Sequence, residues 1–323
     1  VLIDNYDRSF KYLRLSLTEK CNFRCSYCLP NGFKACRSEQ PLDHKEIRNL
    51  VRAFVSLGVE KIRLTGGEPT IRHDIIDIIS TCKQAGIAKI ALTTNGFRLG
   101  KIISDLNTVG LDGINISLDS LQKNRFQKIT GSLFFDEIYS SIESSLKLKI
   151  PHVKINAVLL KDINSDELID FTKWVKDRKI TVRFIELMKT LDNSAYFREH
   201  HLSADHFENQ LKNMGWKLEA RSAVSGPAKE YSHPDYKGKI GFISPYSKDF
   251  CLECNRLRVS SFGELRLCLF GQGNLNLRPL LQNEKQFAEL KELICEGLRL
   301  KPMRHELHRG LSGDMNSLAE IGG

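Results

Sequence analysis

Six short strand-like runs recur along this chain, near residues 11–17, 61–65, 88–94, 113–118, 152–160 and 180–187, and most gaps between them carry apolar residues at helical spacing. Strand then helix, repeated, makes successive strands run parallel, because each crossover carries the chain back to the same edge. With about 30 residues per unit, the economical closure is an incomplete (β/α)6 TIM-like barrel. Asp43 opens the first helical stretch with Glu46 three residues on, a reciprocal cap, and Ile47, Leu50, Val51, Phe54 and Val55 form its apolar stripe before Gly58. Helical spacing also marks 74–86, 134–148 and 165–176, the last capped by Asn164 or Ser165.

Beyond about residue 190 the alternation stops. Residues 200–218 read as a polar connection and helix, and 220–239 as a long loop rich in Ser, Gly, Pro and charge. A second compact unit follows, with a hairpin formed by 258–261 and 264–269 turning at Phe262-Gly263, and a helix near 284–299. A chain of 323 residues exceeds the usual single core. The expected division is therefore a partial barrel over 1–190 and a smaller cysteine-rich α+β unit over 191–323. The longest apolar runs fall far short of the ~18 residues that span a bilayer, and no signal segment opens the chain, so the reading is a cytoplasmic protein with no membrane partner. The chain begins at Val1 without a methionine, which leaves room for an upstream extension.

Nine cysteines make an odd number, and six of them fall into two clusters, which argues for metal ligation in a reducing compartment over a disulfide framework. Cys21, Cys25 and Cys28 follow the first strand directly. Three thiolates can hold a four-iron cluster and leave one iron open to chemistry. The competing readings are a closed zinc site, for which Cys36 is the only nearby fourth ligand, and separate packing roles. If the predicted hairpin forms, Cys268 returns beside Cys251 and Cys254 as a second three-thiolate cradle; a zinc knuckle completed by a distant His is the alternative. Cys82 and Cys295 read as small buried hydrophobes.

The other unusual residues also gather at strand ends, where a parallel barrel places its chemistry. Gly66-Gly67-Glu68-Pro69 follows the second strand, Thr93-Thr94-Asn95-Gly96 the third, and Ser117-Leu118-Asp119-Ser120 the fourth. Lys154 and Asn156 lie on the fifth, and residues 183–188 end the sixth. Adjacent glycines let backbone approach a ligand, with Glu68 or nearby carbonyls as acceptors for an amino group, although a tight turn explains them too. Neither Gly100-Lys101 nor Gly238-Lys239 has the glycine spacing of a phosphate-binding loop. Lys and Arg outnumber Asp and Glu by 48 to 39, which favours an anionic partner. Arg14, Lys61, Arg63, Lys154, Arg183, Arg256 and Arg258 lie on or beside strands, so a triphosphate between the barrel and the cysteine-rich unit would explain them, with ordinary ion pairing as the alternative for each. His200-His201 and the pair His305 and His308 read as exposed or helix-end residues, and Gly322-Gly323 by themselves suggest only a loose end.

CNFRCSYC, GGEP, TTNG and SLDS at successive strand ends resemble the radical S-adenosylmethionine enzymes, and CLECNRLRVSSFGELRLCLF with the final Gly-Gly resembles one branch, the MoaA-type GTP 3',8-cyclases of molybdenum cofactor biosynthesis. The likeness covers about Tyr12 to Gly323. It implies two 4Fe–4S clusters, one on Cys21, Cys25 and Cys28 and one on Cys251, Cys254 and Cys268. It implies S-adenosylmethionine bound by Tyr27, Gly67, Ser117 and Met188. GTP would be bound by Arg14, Arg63, Thr93, Lys154 and the run Arg256, Leu257, Arg258, with Lys61 and Arg183 as further contacts. The implied reaction converts GTP to (8S)-3',8-cyclo-7,8-dihydroguanosine 5'-triphosphate, the radical coming from the cofactor rather than from a side chain, and Gly322 and Gly323 enter the active site. An electron donor, the next enzyme of the molybdopterin pathway and a homodimer are the implied partners. Two other readings use the same cysteines: a radical enzyme with an auxiliary cluster acting on a peptide, and a non-catalytic, basic double-zinc nucleic-acid binder. The first leaves the strand-borne arginines unexplained. The second requires four-ligand sites and exposed aromatics among basic residues, so no nucleic-acid partner is expected.

Overall fold

The computed structural model describes residues 1–35, 37–221 and 225–322; Cys36 and Gly323 lie outside the described residues. Strand and helix alternate as expected: β1 (Tyr12–Ser16), α1 (His44–Ser56), β2 (Lys61–Thr65), α2 (Ile75–Gln84), β3 (Lys89–Thr94), α3 (Leu99–Thr108), β4 (Gly113–Ser117), α4 (Lys123–Thr130), α5 (Phe135–Lys147), β5 (His152–Leu159), α6 (Leu168–Val175) and β6 (Thr181–Glu186). The remainder adds α7 (Ser194–His200), α8 (Asp205–Asn213), β7 (Lys217–Leu218), β8 (Lys229–Ser232), β9 (Lys239–Ile243), β10 (Arg256–Val259), β11 (Glu264–Arg266), β12 (Leu275–Asn276) and α9 (Phe287–Arg299). No helix among the described residues is long and apolar enough to cross a membrane.

The twelve strands among the described residues form one open sheet in the order β12-β11-β10-β1-β2-β3-β4-β5-β6-β9-β8-β7. The six expected strands are its parallel centre. Beyond them, β10 pairs parallel with β1 and β9 parallel with β6, so residues from the C-terminal part extend the barrel on both sides. The hairpin turns at Phe262-Gly263 as expected and sets Arg258 opposite Arg266. The stretch read as a long loop is partly strand: β8 pairs antiparallel with β9, and Tyr231 is fully buried with its hydroxyl donating to Glu208 at 2.6 Å.

The two-residue period of the strands sorts side chains between two environments. Leu13 and Leu15, Ile62 and Leu64, Ile114 and Ile116, and Val182 and Phe184 enter the core against the helices. Their neighbours Tyr12 and Arg14, Lys61 and Arg63, Asn115 and Ser117, and Arg183 line the barrel interior. Helix α1 carries the expected reciprocal cap: the Glu46 N–H donates to Asp43 at 2.8 Å, and the Asp43 N–H donates to Glu46 at 2.9 Å. Its stripe of Ile47, Leu50, Val51 and Phe54 is fully buried, with Val55 half-buried. Helix α6 starts at Leu168, later than expected, because Asn164 is engaged elsewhere. Its amide donates to the Asp119 and Val158 carbonyls at 2.7 and 2.8 Å and its Oδ1 accepts the Leu160 N–H at 2.8 Å, tying the ends of β4 and β5 together.

Candidate active site

The barrel interior is a cavity of about 500 Å3, and both cysteine triplets line it. Cys21, Cys25 and Cys28 lie beyond the C-terminal end of β1. Cys254 stands two residues before Arg256, which pairs with Tyr12 at the start of β1. Cys268 follows β11, which runs antiparallel back to that same level. At about 3.3 Å per strand residue, the span from Tyr12 to Ser16 alone separates the two levels by roughly 13 Å. The site thus runs through the barrel from strand starts to strand ends, deeper than the rim that strand-end residues suggest.

Most expected contacts do meet in this cavity. Tyr27, Gly67, Ser117 and Met188 line it near the first triplet, and Arg14, Lys61, Arg63, Thr93, Lys154, Arg183, Arg256 and Arg258 line the rest. Leu257 is the exception: it alternates with Arg256 and Arg258, and its side chain is buried in the core, so it is no side-chain contact. Gly322 is drawn in as well, its carbonyl accepting from Arg14 Nη2 at 3.1 Å. With φ of +70° and Thr65 Oγ1 2.3 Å from where a Cβ would lie, that position admits only glycine.

Glu68 is not an open acceptor. It is fully buried, and its carboxylate accepts from the Thr70 N–H and hydroxyl at 2.9 and 2.6 Å, the Thr94 hydroxyl at 2.7 Å and the Asn95 N–H at 2.6 Å. Gly67 serves close backbone packing: a Cβ there would sit 2.4 Å from the Lys20 carbonyl oxygen, so the pair of glycines seats the segment entering Cys21. Asn95 donates to Asn22 at 2.9 Å and approaches the Cys21 sulphur at 3.9 Å. Tyr27 donates to Asp119 at 2.9 Å, and Asp119 accepts the Val158 N–H at 2.8 Å. Burial nevertheless pushes the Asp119 carboxyl up to about 6.

Electrostatically the cavity is a buried cationic wall. Arg14 has Arg258 on one side and Arg63 on the other in strand register. Nε of Arg256 and Arg258, and Nε and Nη2 of Arg183, are buried with no hydrogen-bond partner among the described residues. Burial, then repulsion from Arg256, brings Arg258 down to about 10, and burial with Arg63 does the same to Arg183. Lys154 is paired with Glu230 at 2.5 Å, yet burial and Arg183 bring it to about 8. Tyr12 accepts from Arg63 Nε at 2.5 Å; burial would raise its phenol, but Arg63, Arg14 and Lys61 hold it down to about 7.

Around the second triplet, burial would push the Cys254 thiol up, whereas Lys301 and Arg256 hold it down to about 6. Lys301 is almost fully buried and donates to the Leu267 carbonyl. His305, expected to be exposed, is buried on the cavity wall between Phe250 and Phe270. Cys295 is half-buried, while Cys82 is buried as expected. Tyr12 was discoverable, since it shares a strand face with Arg14. Glu230 comes from the short strand β8, inside a stretch whose Ser, Gly, Pro and charge read as loop, and Lys301 and His305 come from irregular segments that carry no period to reveal them. No group of three or more His, Cys, Asp or Glu converges among the described residues as a single-ion cage. Each triplet is instead three thiols that line one cavity, a donor set that suits a cluster.

The family models add what geometry leaves open: that of the Radical SAM superfamily matches residues 15–175, and that of Molybdenum Cofactor Synthesis C matches 180–307. In fold, the chain is similar to Streptococcus suis SuiB, in crystal structures bound to S-adenosylmethionine (TM-score 0.56, 16% identity, 93% of this chain and 72% of that one) and to the precursor peptide SuiA (TM-score 0.56, 16% identity, 88% and 67%). Open barrel, three-cysteine motif and superfamily match together define a radical S-adenosylmethionine enzyme. GTP 3',8-cyclases of Synechococcus elongatus and Stenotrophomonas maltophilia are 49% and 50% identical, covering 100% of this chain and 99% of each relative. That of Actinobacillus pleuropneumoniae is 47% identical over 100% and 95%. The chain belongs to the GTP 3',8-cyclase family.

Proposed function

We propose that this protein converts GTP to (8S)-3',8-cyclo-7,8-dihydroguanosine 5'-triphosphate, the first step of molybdenum cofactor biosynthesis. The carrying observation is the set of buried, unpartnered guanidinium nitrogens on Arg183, Arg256 and Arg258, inside a cavity that both cysteine triplets line. Buried cations without anions are costly, and a triphosphate supplies the missing charge.

In this reading Cys21, Cys25 and Cys28 hold a 4Fe–4S cluster, and Tyr27, Gly67, Ser117 and Met188 hold S-adenosylmethionine beside it. When bound, these supply a 5'-deoxyadenosyl radical by one-electron cleavage of the sulfonium. Cys251, Cys254 and Cys268 would hold a second 4Fe–4S cluster and offer a binding position for the base, with Lys301 and Arg256, which act on the Cys254 thiol, compensating its charge. Arg14, Lys61, Arg63, Thr93, Lys154, Arg183, Arg256 and Arg258 anchor the nucleotide between the two, and Arg63 is itself aimed by Tyr12 and by Thr93 Oγ1 at 3.0 Å. The barrel wall keeps water from the ribose and base, and Asp119 fixes the Tyr27 hydroxyl. The bond formed joins ribose carbon 3' to guanine carbon 8; hydrogen lost at carbon 3' is balanced by one electron and one proton gained by the base.

The division at about residue 190 then separates the radical-generating barrel (1–190), which also supplies Arg14, Lys61, Arg63, Thr93, Lys154 and Arg183 to the nucleotide, from the unit that carries the second triplet, Arg256 and Arg258 (191–323). A one-electron donor, the next enzyme of the molybdopterin pathway, a homodimer and a cytoplasmic setting complete the proposal. The test is anaerobic incubation of the reconstituted chain with GTP, S-adenosylmethionine and dithionite. Loss of GTP with matching formation of 5'-deoxyadenosine and a GTP isomer is expected. 5'-Deoxyadenosine without GTP consumption would overturn the substrate assignment.

A further inference from the structure

Ser317 is 289 residues from Cys28 in sequence and in contact with it in space. Its Oγ lies 3.6 Å from the Cys28 sulphur, donates to the Cys28 carbonyl at 3.3 Å and accepts the Ala319 N–H at 3.2 Å. The residue is buried, and its own N–H is held by Glu320 at 3.2 Å, so the hydroxyl has only local freedom to turn. The segment carrying it is fixed at several points. Arg266 pairs with Asp314 at 3.0 Å and lies 3.7 Å from Glu320. Met315 and Ile321 are fully buried, and the Met315 and Asn316 carbonyls accept from the Leu191 and Asp192 N–H groups. Its far end reaches Arg14 through Gly322.

A cysteine bound to iron is a thiolate and can only accept hydrogen bonds. A reduced cluster carries one more negative charge than an oxidised one, so a donor at a ligand sulphur favours the reduced form and raises the potential. We propose that Ser317 is a positioning residue for the first cluster, its hydroxyl turning from the Cys28 carbonyl to the ligated Cys28 sulphur and raising the cluster's reduction potential. The C-terminal segment thereby joins the sulphur of the radical-generating site to Arg14 of the nucleotide site. This rests on the reading that Cys21, Cys25 and Cys28 hold that cluster.

The test is potentiometric EPR titration of the anaerobically reconstituted full chain, the first cluster's signal being the one that changes on adding S-adenosylmethionine. Ser317→Ala is expected to shift that midpoint to more negative potential at wild-type iron content, and Ser317→Thr to keep it in place. Should Ser317→Ala fail to load iron, Arg266→Gln replaces it, loosening Asp314 and Glu320 without touching Cys28, with the same direction of shift expected. A wild-type midpoint in the loaded variant overturns the proposal. A wild-type chain whose signal ignores S-adenosylmethionine overturns the assignment of the first triplet instead.

Discussion

Arg258 sits on a buried strand with Nε unpartnered and Arg256 lowering its pKa, so its charge works against folding and in favour of an anion. Replacing it by Met should therefore separate two properties that usually fall together. GTP affinity, by equilibrium dialysis, should drop by about 10- to 150-fold, the equivalent of ~1.5–3 kcal/mol for a hydrogen bond to a charged group. The unfolding temperature of the ligand-free protein should stay level or rise, because the variant no longer desolvates a guanidinium beside Arg256. The same wall gives GTP binding a pH dependence. Tyr12, near about 7, becomes an anion as pH rises, and Lys154, near about 8, loses its charge. Both changes remove positive potential, so affinity should fall from pH 7 to pH 9. Tyr12→Phe should delay the onset of that fall toward pH 8, which binding isotherms at fixed ionic strength would reveal.

Among the elements, the β2-to-β3 segment illustrates how a short motif positions chemistry that it does not perform. Glu68 spends its carboxylate on Thr70, Thr94 and Asn95, and Gly67 packs against the Lys20 carbonyl. Gly67→Ala should displace the segment entering Cys21 and lower iron bound at the first triplet, leaving the second loaded; iron analysis combined with EPR would distinguish this from general unfolding. The central strands were legible because each alternates between core and cavity, and α1 because Asp43 and Glu46 cap it reciprocally. The same alternation excludes Leu257 from the cavity, although a motif read as a continuous run includes it. Asn164 misled as a helix cap because its partners, Asp119 and Val158, come from other strands and leave no mark on the local sequence.

At the scale of the whole molecule, two late strands extend the open barrel: β10 lies beside β1 and β9 beside β6. Such pairings join residues far apart in the chain, so no local period announces them, whereas the cysteine spacing announces what they carry. His305, on the cavity wall, and Ser317, against Cys28, were hidden because each arrives through irregular chain. If the two triplets hold separate clusters, Cys268→Ala should reduce iron from about eight to about four per chain, spare the S-adenosylmethionine-responsive signal and weaken GTP binding. Unchanged GTP affinity and turnover would remove the second triplet from the mechanism. On the proposed reading, one cavity holds the ribose of GTP toward the first triplet and its base toward the second. GTP carrying deuterium on ribose carbon 3' tests this most directly: with S-adenosylmethionine and reductant, 5'-deoxyadenosine should gain one deuterium, while unlabelled 5'-deoxyadenosine formed as GTP is consumed would contradict it.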